Sequence, residues 1–145
     1  MAAAPPWPAD LALLLLRLSV GGLMFVNHGW GKVERLLGDD PIRFADPLGI
    51  GIVPSLGLAA GAETLGAALV ALGLFTRLAA VPLAFTMAVA AFVVHAADPL
   101  ADKEMALLYL AATLAIALLG PGRFAVGRAL GLHKLKSRVL ATILS

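Results

Sequence analysis

Four long apolar stretches, separated by short polar segments, make up most of the chain. About 20 helical residues are needed to cross the hydrocarbon core of a bilayer, and the first three stretches reach that length. The fourth does so if its helix begins near Pro99, which leaves a short charged segment in the headgroup layer. Apolar and polar residues do not alternate with a period of two, so we expect helices rather than strands. The pattern predicts an all-α, polytopic membrane four-helix bundle with helices over residues 10–31, 50–75, 77–97 and 100–120.

A different pattern follows the fourth stretch. Between residues 123 and 143, apolar side chains recur at helical spacing among lysines and arginines. This segment is too charged to cross a bilayer, and its spacing is typical of an amphipathic helix that lies on the membrane surface. No internal repeat is present, so we interpret residues 1–145 as a single membrane domain. The first ten residues lack the positive start of a cleavable signal peptide, and we expect them to be retained.

The composition favours a membrane protein and excludes several other classes. Hydrophobic residues make up 61% of the chain, against about 45–50% in a soluble domain, and the mean hydropathy is +0.95. The net charge is only +2 and the basic residues flank the apolar stretches, so we predict no nucleic-acid partner. The chain has no cysteine, which excludes disulfides, thiolate metal sites and direct thiol–disulfide exchange.

The distribution of lysine and arginine predicts the orientation. With four spans both termini lie on the same side, which carries six basic residues against four on the other. Because cytoplasmic segments carry more Lys and Arg, we expect a multi-pass protein of the cell (inner) membrane with both termini in the cytoplasm. The six are Arg77, Arg123, Arg128, Lys134, Lys136 and Arg138, and the four are Lys32, Arg35, Arg43 and Lys103.

One arginine, Arg17, lies inside the first apolar stretch. A guanidinium near the middle of a span costs roughly 2.5–3.5 kcal/mol on insertion scales, so it must face the bundle interior and find a partner there. Glu63 lies near the middle of the second stretch, which runs in the opposite direction. At 100° per residue, Arg17 and His28 share one face of the first helix. We therefore predict a buried ion pair between Arg17 and Glu63, with His28 nearer the membrane surface.

These residues predict a polar pocket that opens toward the exterior and binds a ligand or relays protons. A purely structural ion pair that fixes the helix register explains the same charges and stays open as the alternative. Two histidines near one interface also raise the question of haem or a metal. The sequence has no H-x-x-x-H spacing on a helix and no cysteine partner, so we predict neither. No catalytic residue is assigned, and the candidate site residues, from the deepest to the mouth, are Arg17, Glu63, His28, Lys32, His95 and Glu104.

Several short segments occur in a characteristic order and spacing between residues 13 and 130. They are Leu15-Leu-Arg17-Leu, His28-Gly-Trp-Gly-Lys32, Glu63-Thr-Leu-Gly66, Leu72-Gly-Leu-Phe-Thr-Arg77, His95, Glu104 with Leu108-Tyr-Leu110, and Gly120-Pro-Gly-Arg-Phe124. Together they resemble the DoxX family of small four-helix membrane proteins. The chain departs from the family at Gly127, where the closing segment usually carries an acidic residue.

The resemblance implies a role beside redox enzymes. Family members are described as membrane partners in thiosulfate:quinone oxidation or in thiol and radical detoxification complexes. Relatives assist receptor assembly or accompany metal-handling gene clusters. No family-wide catalytic mechanism comes with the resemblance. The polar residues that it shares with this chain are Arg17, His28, Lys32, Glu63, Arg77, His95 and Glu104.

Two functional hypotheses follow. The first is an integral membrane subunit that supports a membrane-associated redox complex through a pocket for quinone or a similar small ligand. Arg17 and a histidine would donate hydrogen bonds to a quinone carbonyl, and Glu63 and Glu104 would relay protons. Its partners would be the lipid bilayer and either a redox protein or a second copy of the chain. Because no self-sufficient catalytic set is present, the sequence leaves open whether the chain is itself part of an enzyme.

The second hypothesis is a non-enzymatic membrane scaffold or assembly factor in which the polar cluster is structural. A small-solute transporter is disfavoured, because no pair of Gly/Pro-interrupted helices occurs in corresponding halves of the chain.

Overall fold

The structure is a computed structural model that describes residues 7–131. All regular structure within that range is helical, and no strand occurs in it. The chain forms five helices in this range, of which the last is a single turn. They are α1 (Trp7–Leu37), α2 (Ile52–Leu72), α3 (Thr76–Val94), α4 (Leu100–Leu119) and α5 (Val126–Ala129).

Three of these helices, α1, α2 and α3, are long and apolar enough to cross a membrane. The fourth, α4, has 20 residues and begins directly after Pro99, as the sequence predicts. Its first turns carry Asp102, Lys103 and Glu104, so its uncharged part is confined to residues 105–119. The apolar helices make the chain an integral membrane protein.

The first helix continues beyond its predicted end at residue 31 and reaches Leu37. Its 31 residues correspond to about 46 Å at the rise of an α-helix, whereas a bilayer core is about 30 Å thick.

The surface helix that the sequence predicts over residues 123–143 is much shorter in the described part of the structure. Within the described part only Val126–Ala129 is helical, and Gly131 follows with a φ of 72°. The remainder of that predicted helix lies outside the described residues.

The helices have two distinct ends. Arg17 lies toward one, which we call the arginine end: there α1 begins, α2 ends, α3 begins and α4 ends. We call the opposite end the pocket end. The first half of α1 packs against the second half of α2, and the end of α1 packs against the start of α2, so the two helices are antiparallel. Helix α3 packs against α2 and along α4, and α4 also contacts α1.

The turn between α2 and α3 is short, and α2 ends three residues before its predicted end at residue 75. Helix α2 ends at Leu72 and α3 begins at Thr76. Gly73 has a left-handed backbone with a φ of 75°, and Phe75 is left-handed too, at a φ of 46°. The amide of Gly73 donates to the carbonyl of Val70, and that of Leu74 donates to Leu69, which closes the C-terminus of α2. The turn therefore places the two helices side by side.

The core is built from medium-sized apolar side chains and alanines, so the helices approach closely. Its largest fully buried apolar members are Met24, Leu56, Leu83, Ile116 and Val70. Gly21 marks the closest approach of α1 to α2. A Cβ at that position would lie 2.5 Å from the carbonyl oxygen of Ala67 and 2.8 Å from the Cβ of Ala71. The neighbouring Gly22 has open space around it.

This difference gives a prediction with an internal control. We expect Gly21→Ala to lower the free energy of unfolding by roughly 1–3 kcal/mol, because the methyl group overlaps the backbone of α2. Gly22→Ala should leave it unchanged or raise it by about 0.5–1 kcal/mol, since glycine is the weaker helix former. The measurement is the thermal midpoint of both purified variants in the same detergent. Equal midpoints would show that α1 and α2 are not in close contact here.

Candidate functional site

A cavity of about 550 Å³ lies at the pocket end of the molecule. Helices α1, α2, α3 and α4 form its sides, and the loop between α1 and α2 covers part of it with Phe44, Pro47 and Leu48. Most of its surface is apolar. The polar and charged side chains that line it are His28, Lys32, Ser55, Glu63, Thr86, His95, Asp102 and Tyr109.

Four of these side chains are joined by direct contacts, and we call His28, Lys32, Glu63 and Tyr109 the polar wall. The ammonium of Lys32 forms an ion pair with the carboxylate of Glu63. The side chain of Glu63 is 3% exposed and that of Lys32 is 18% exposed. Lys32 also donates to the carbonyl oxygen of His28, with Nζ and O 3.3 Å apart. The His28 and Tyr109 rings meet edge to face with centroids 5.6 Å apart.

Three of the helices widen into a π turn beside the cavity. The turns are Phe25–Gly29 in α1, Ala62–Gly66 in α2 and Ala90–Val94 in α3. A π turn adds one residue to a helical turn and thereby changes which side chains face inward, and such turns are frequent at functional sites. His28 and Glu63 both belong to these turns. Two of the four residues of the polar wall are therefore positioned by departures from α-helical geometry.

The first two π turns touch each other through a glycine. A Cβ at Gly29 would overlap the backbone carbonyl of Glu63 and approach the side chain of Thr64. The hydroxyl of Thr64 donates back to the carbonyl oxygen of Ala60 at 2.6 Å, which satisfies a carbonyl beside the widened turn. Gly29 is thus required for the distance between α1 and α2 at this level.

Arg17 does not belong to this cavity, and the predicted Arg17–Glu63 ion pair is wrong. The guanidinium is fully buried at the arginine end and donates to backbone carbonyls. Its Nη1 lies 3.3 Å from the oxygen of Val70 and 3.1 Å from that of Ala71, and its Nη2 lies 2.8 Å from the oxygen of Phe124. Val70 follows Glu63 by seven residues, about 10 Å along a helix, so Arg17 sits level with the end of α2.

The physical reason for this partner is the helix terminus. The last carbonyls of α2 have no amide partner within the helix and carry partial negative charge, so a buried cation is stabilised there. Gly73 leaves room for it, because a Cβ at Gly73 would overlap the guanidinium. Phe124 brings in the segment after α4, whose Gly127 amide also donates to the carbonyl of Gly73 at 3.3 Å. Arg17 therefore joins three separate segments of the chain.

Glu104 is also absent from the cavity. It is exposed on α4, whereas Asp102, Met105, Ala106 and Tyr109 line the cavity. Met105, Ala106 and Tyr109 follow Asp102 by three, four and seven residues, the spacing that places side chains on one helix face. Glu104 falls on another face.

The remaining predicted residue, His95, lies at the mouth of the cavity directly after α3. Its Nδ1 is 2.7 Å from the carboxylate of Asp98, and both side chains are substantially exposed. The structure thus brings together four of the six predicted residues: His28, Lys32, Glu63 and His95. The sequence analysis did not select Tyr109 or Asp102 as site residues. The face that they share on α4 is the signal that identifies them.

The covering loop is attached to the start of α2 through Asp46. Its carboxylate accepts hydrogen bonds from the Ser55 hydroxyl at 2.7 Å and from the backbone amides of Gly51 at 2.8 Å and Ile50 at 3.1 Å. These donors, the Ser55 hydroxyl above all, hold the pKa of Asp46 below its ordinary value. The loop is therefore docked most firmly when Asp46 is ionised.

This attachment predicts a pH dependence. A carboxyl whose pKa is lowered by folding contributes stability above its ordinary pKa of about 3.9 and loses that contribution as the pH falls through the folded value. We expect the amides of Ile50 and Gly51 to lose protection from hydrogen exchange over that acidic range. Asp46→Asn should weaken protection at neutral pH and remove its acid dependence. Asp39→Asn, a change of an exposed aspartate, is the control, and an equal response of both variants would contradict the assignment.

A second prediction concerns Arg17. Arg17→Met keeps a similar volume but removes the side-chain donor from the carbonyls of Ala71 and Phe124 and one of the two donors of the Val70 carbonyl. We expect the free energy of unfolding to fall by roughly 3 kcal/mol or more, since each unsatisfied buried acceptor costs about 1–3 kcal/mol. Arg35→Met, at an exposed position on α1, should leave stability unchanged. Denaturation in detergent measures both, and a stable Arg17→Met protein would refute the structural role.

Among residues 7–131, no group of three or more His, Asp or Glu side chains is close enough together to hold a metal ion.

The chain was compared with known proteins and protein families. No curated protein and no solved structure gives a significant match to the chain. A protein-family model for DoxX matches residues 12–96. That match includes the first three helices, Arg17 and the Lys32–Glu63 pair, and on this basis the chain belongs to the DoxX family.

Proposed function

We propose that this DoxX-family protein is a membrane subunit that binds a quinone or a similar small ligand for a partner redox protein. In this proposal it crosses the cell membrane four times as a four-helix bundle, with both termini in the cytoplasm. The excess of lysine and arginine on the terminal side supports that orientation. The pocket end then faces the exterior, and electrons come from the partner.

The observation that carries the proposal is the polar wall in a mostly apolar cavity. Pockets for small molecules measure about 300–1,000 Å³ and combine apolar walls with a few placed polar groups, and this cavity of about 550 Å³ is of that kind. A quinone has a flat apolar ring and two carbonyl oxygens that accept hydrogen bonds. Lys32 and Tyr109 carry N–H and O–H donors at the wall, and the ring of His28 offers a third polar group.

Glu63 supports the proposal through its burial. A carboxylate in an apolar region is costly unless it is paired, and ionisable residues inside membrane segments mark pathways and ligand sites. Glu63 is paired with Lys32, which is partly exposed. The pair thus connects the interior of the cavity with its polar mouth, where His95 and Asp102 lie. A proton released or taken up by a bound quinone would have acceptors along that line.

A scaffold or assembly factor is the second candidate, and the contacts of Arg17 favour it. The most deeply buried charge of the described chain acts on backbone carbonyls and not on the cavity. The Lys32–Glu63 pair distinguishes the candidates, because replacing both partners of a buried pair with apolar residues is often tolerated. A scaffold predicts that the Lys32→Met/Glu63→Met double variant folds and still supports its complex. A ligand site predicts that it folds and loses the ligand.

The proposal predicts quinone binding that depends on the wall and on the empty volume. In nanodiscs, short-tailed ubiquinone and menaquinone analogues should bind the unmodified protein. Glu63→Gln should weaken binding by about tenfold, because the Lys32 donor loses the charge-assisted contact that holds it at the wall. Ala106→Phe should abolish binding, because Ala106 lines the cavity. Ala111→Phe, on an exposed face of the same helix, should bind normally.

Equilibrium binding measures the affinity of each variant for the quinone analogues, and its thermal midpoint shows whether the variant is folded. The assignment fails if the folded Glu63→Gln and Ala106→Phe variants bind the analogues as tightly as the unmodified protein does.

A further inference from the structure

The cavity has an opening along the side of the helices as well as at the pocket end. Leu58 on α2 and Phe85 on α3 both line the cavity, yet they are 64% and 58% exposed. Pro82, one turn before Phe85, is exposed and lines it too. Side chains that face the cavity and the surroundings at once mark its rim. This rim, which we call the side opening, lies between α2 and α3.

The depth of the side opening places it among lipid chains. Leu58 lies six residues after the start of α2, and Phe85 lies nine residues before the end of α3. These separations correspond to about 9 Å and about 13 Å from the pocket end of the two helices. Both helices are long and apolar enough to cross the membrane, and its hydrocarbon core is about 30 Å thick. The side opening therefore faces acyl chains rather than water.

The charges that line the cavity point to the kind of molecule that fits. Lys32 and Glu63 neutralise each other, so the interior offers no uncompensated charge. The other carboxylate of the lining, Asp102, is exposed at the mouth. An ionised ligand would lose its hydration without gaining a counter-ion, which is costly in an apolar site. Uncharged molecules with hydrogen-bonding groups do not meet this penalty.

We infer that the ligand is an uncharged, lipid-dissolved molecule that enters the cavity from the bilayer between α2 and α3, past Leu58 and Phe85. The inference deepens the proposed function and rests on it, because a quinone is one such molecule. It adds the route of entry and the charge of the ligand. A water-soluble or ionised ligand that enters at the pocket end is the opposite expectation.

The absence of cysteine from the sequence allows a direct test. Leu58→Cys places one thiol at the side opening, and Leu48→Cys places one in the covering loop, where Leu48 lines the cavity and is exposed. Each variant is reconstituted in liposomes and modified with the same bulky maleimide. Phe85→Cys is the second variant for the side opening if modified Leu58→Cys does not fold. The probe is a long-tailed photoreactive azidoquinone, whose incorporation is measured after short and long incubation.

Modification at Leu58→Cys or Phe85→Cys should slow incorporation by about tenfold, as expected when access is obstructed, and change its final extent by less than about twofold. Leu48 lines the cavity as well, so its label can lower the final extent, but it should slow incorporation by less than about threefold. A short uncharged quinone should compete with the probe, and the same ring with a carboxylate should not.

Two results would overturn the inference while the proposed function stands. The first is slowing by the label at residue 48 and not at 58 or 85, which would show entry from the aqueous side. The second is equal competition by the carboxylate analogue, which would show that charge is accepted. Lack of incorporation into every sample, the unmodified protein included, would overturn the proposed function and the inference together.

Discussion

The contact on which the fold depends is the one between the Arg17 guanidinium and three backbone carbonyls. Val70 and Ala71 supply the end of α2, and Phe124 supplies the segment that follows α4. A cation enclosed in an apolar bundle is tolerated only where hydrogen bonds replace its hydration. Helix ends provide acceptors whose partners are missing, so one side chain satisfies several of them at once. The position of α1 against the α2–α3 turn follows from this contact.

The two groups of buried charge serve different ends of the molecule. Arg17 acts where the chain is closely packed, and glycine at position 73 leaves just enough room for it. Lys32 and Glu63 act where the helices diverge and enclose a volume of about 550 Å³. This division separates the closely packed contact from the cavity, so changes at the cavity do not have to disturb the arginine end.

The long helices were predictable because apolar runs of about 20 residues have few other structures in lipid. The short connection between α2 and α3 and the end of α4 near Gly120 were predictable from glycine and proline, although the predicted end of α2 was residue 75 rather than Leu72. The partner of Arg17 was not, since a backbone carbonyl has no signature in the sequence, whereas Glu63 offered an obvious opposite charge. The π turns were equally hidden, and they change which residues face inward. Glu104 and Asp102 lie in one charged segment, and only their positions around the helix place Asp102, and not Glu104, at the cavity.

The contact between Gly29 and the backbone of Glu63 has a mechanical consequence. With no space for even a methyl group between them, the widened turns of α1 and α2 are in direct backbone contact. Eight residues beyond Gly29, α1 ends at Leu37, in a segment that extends past the thickness of a bilayer. A shift of the α2 backbone at Glu63 therefore presses on α1 at the residue from which that end segment continues.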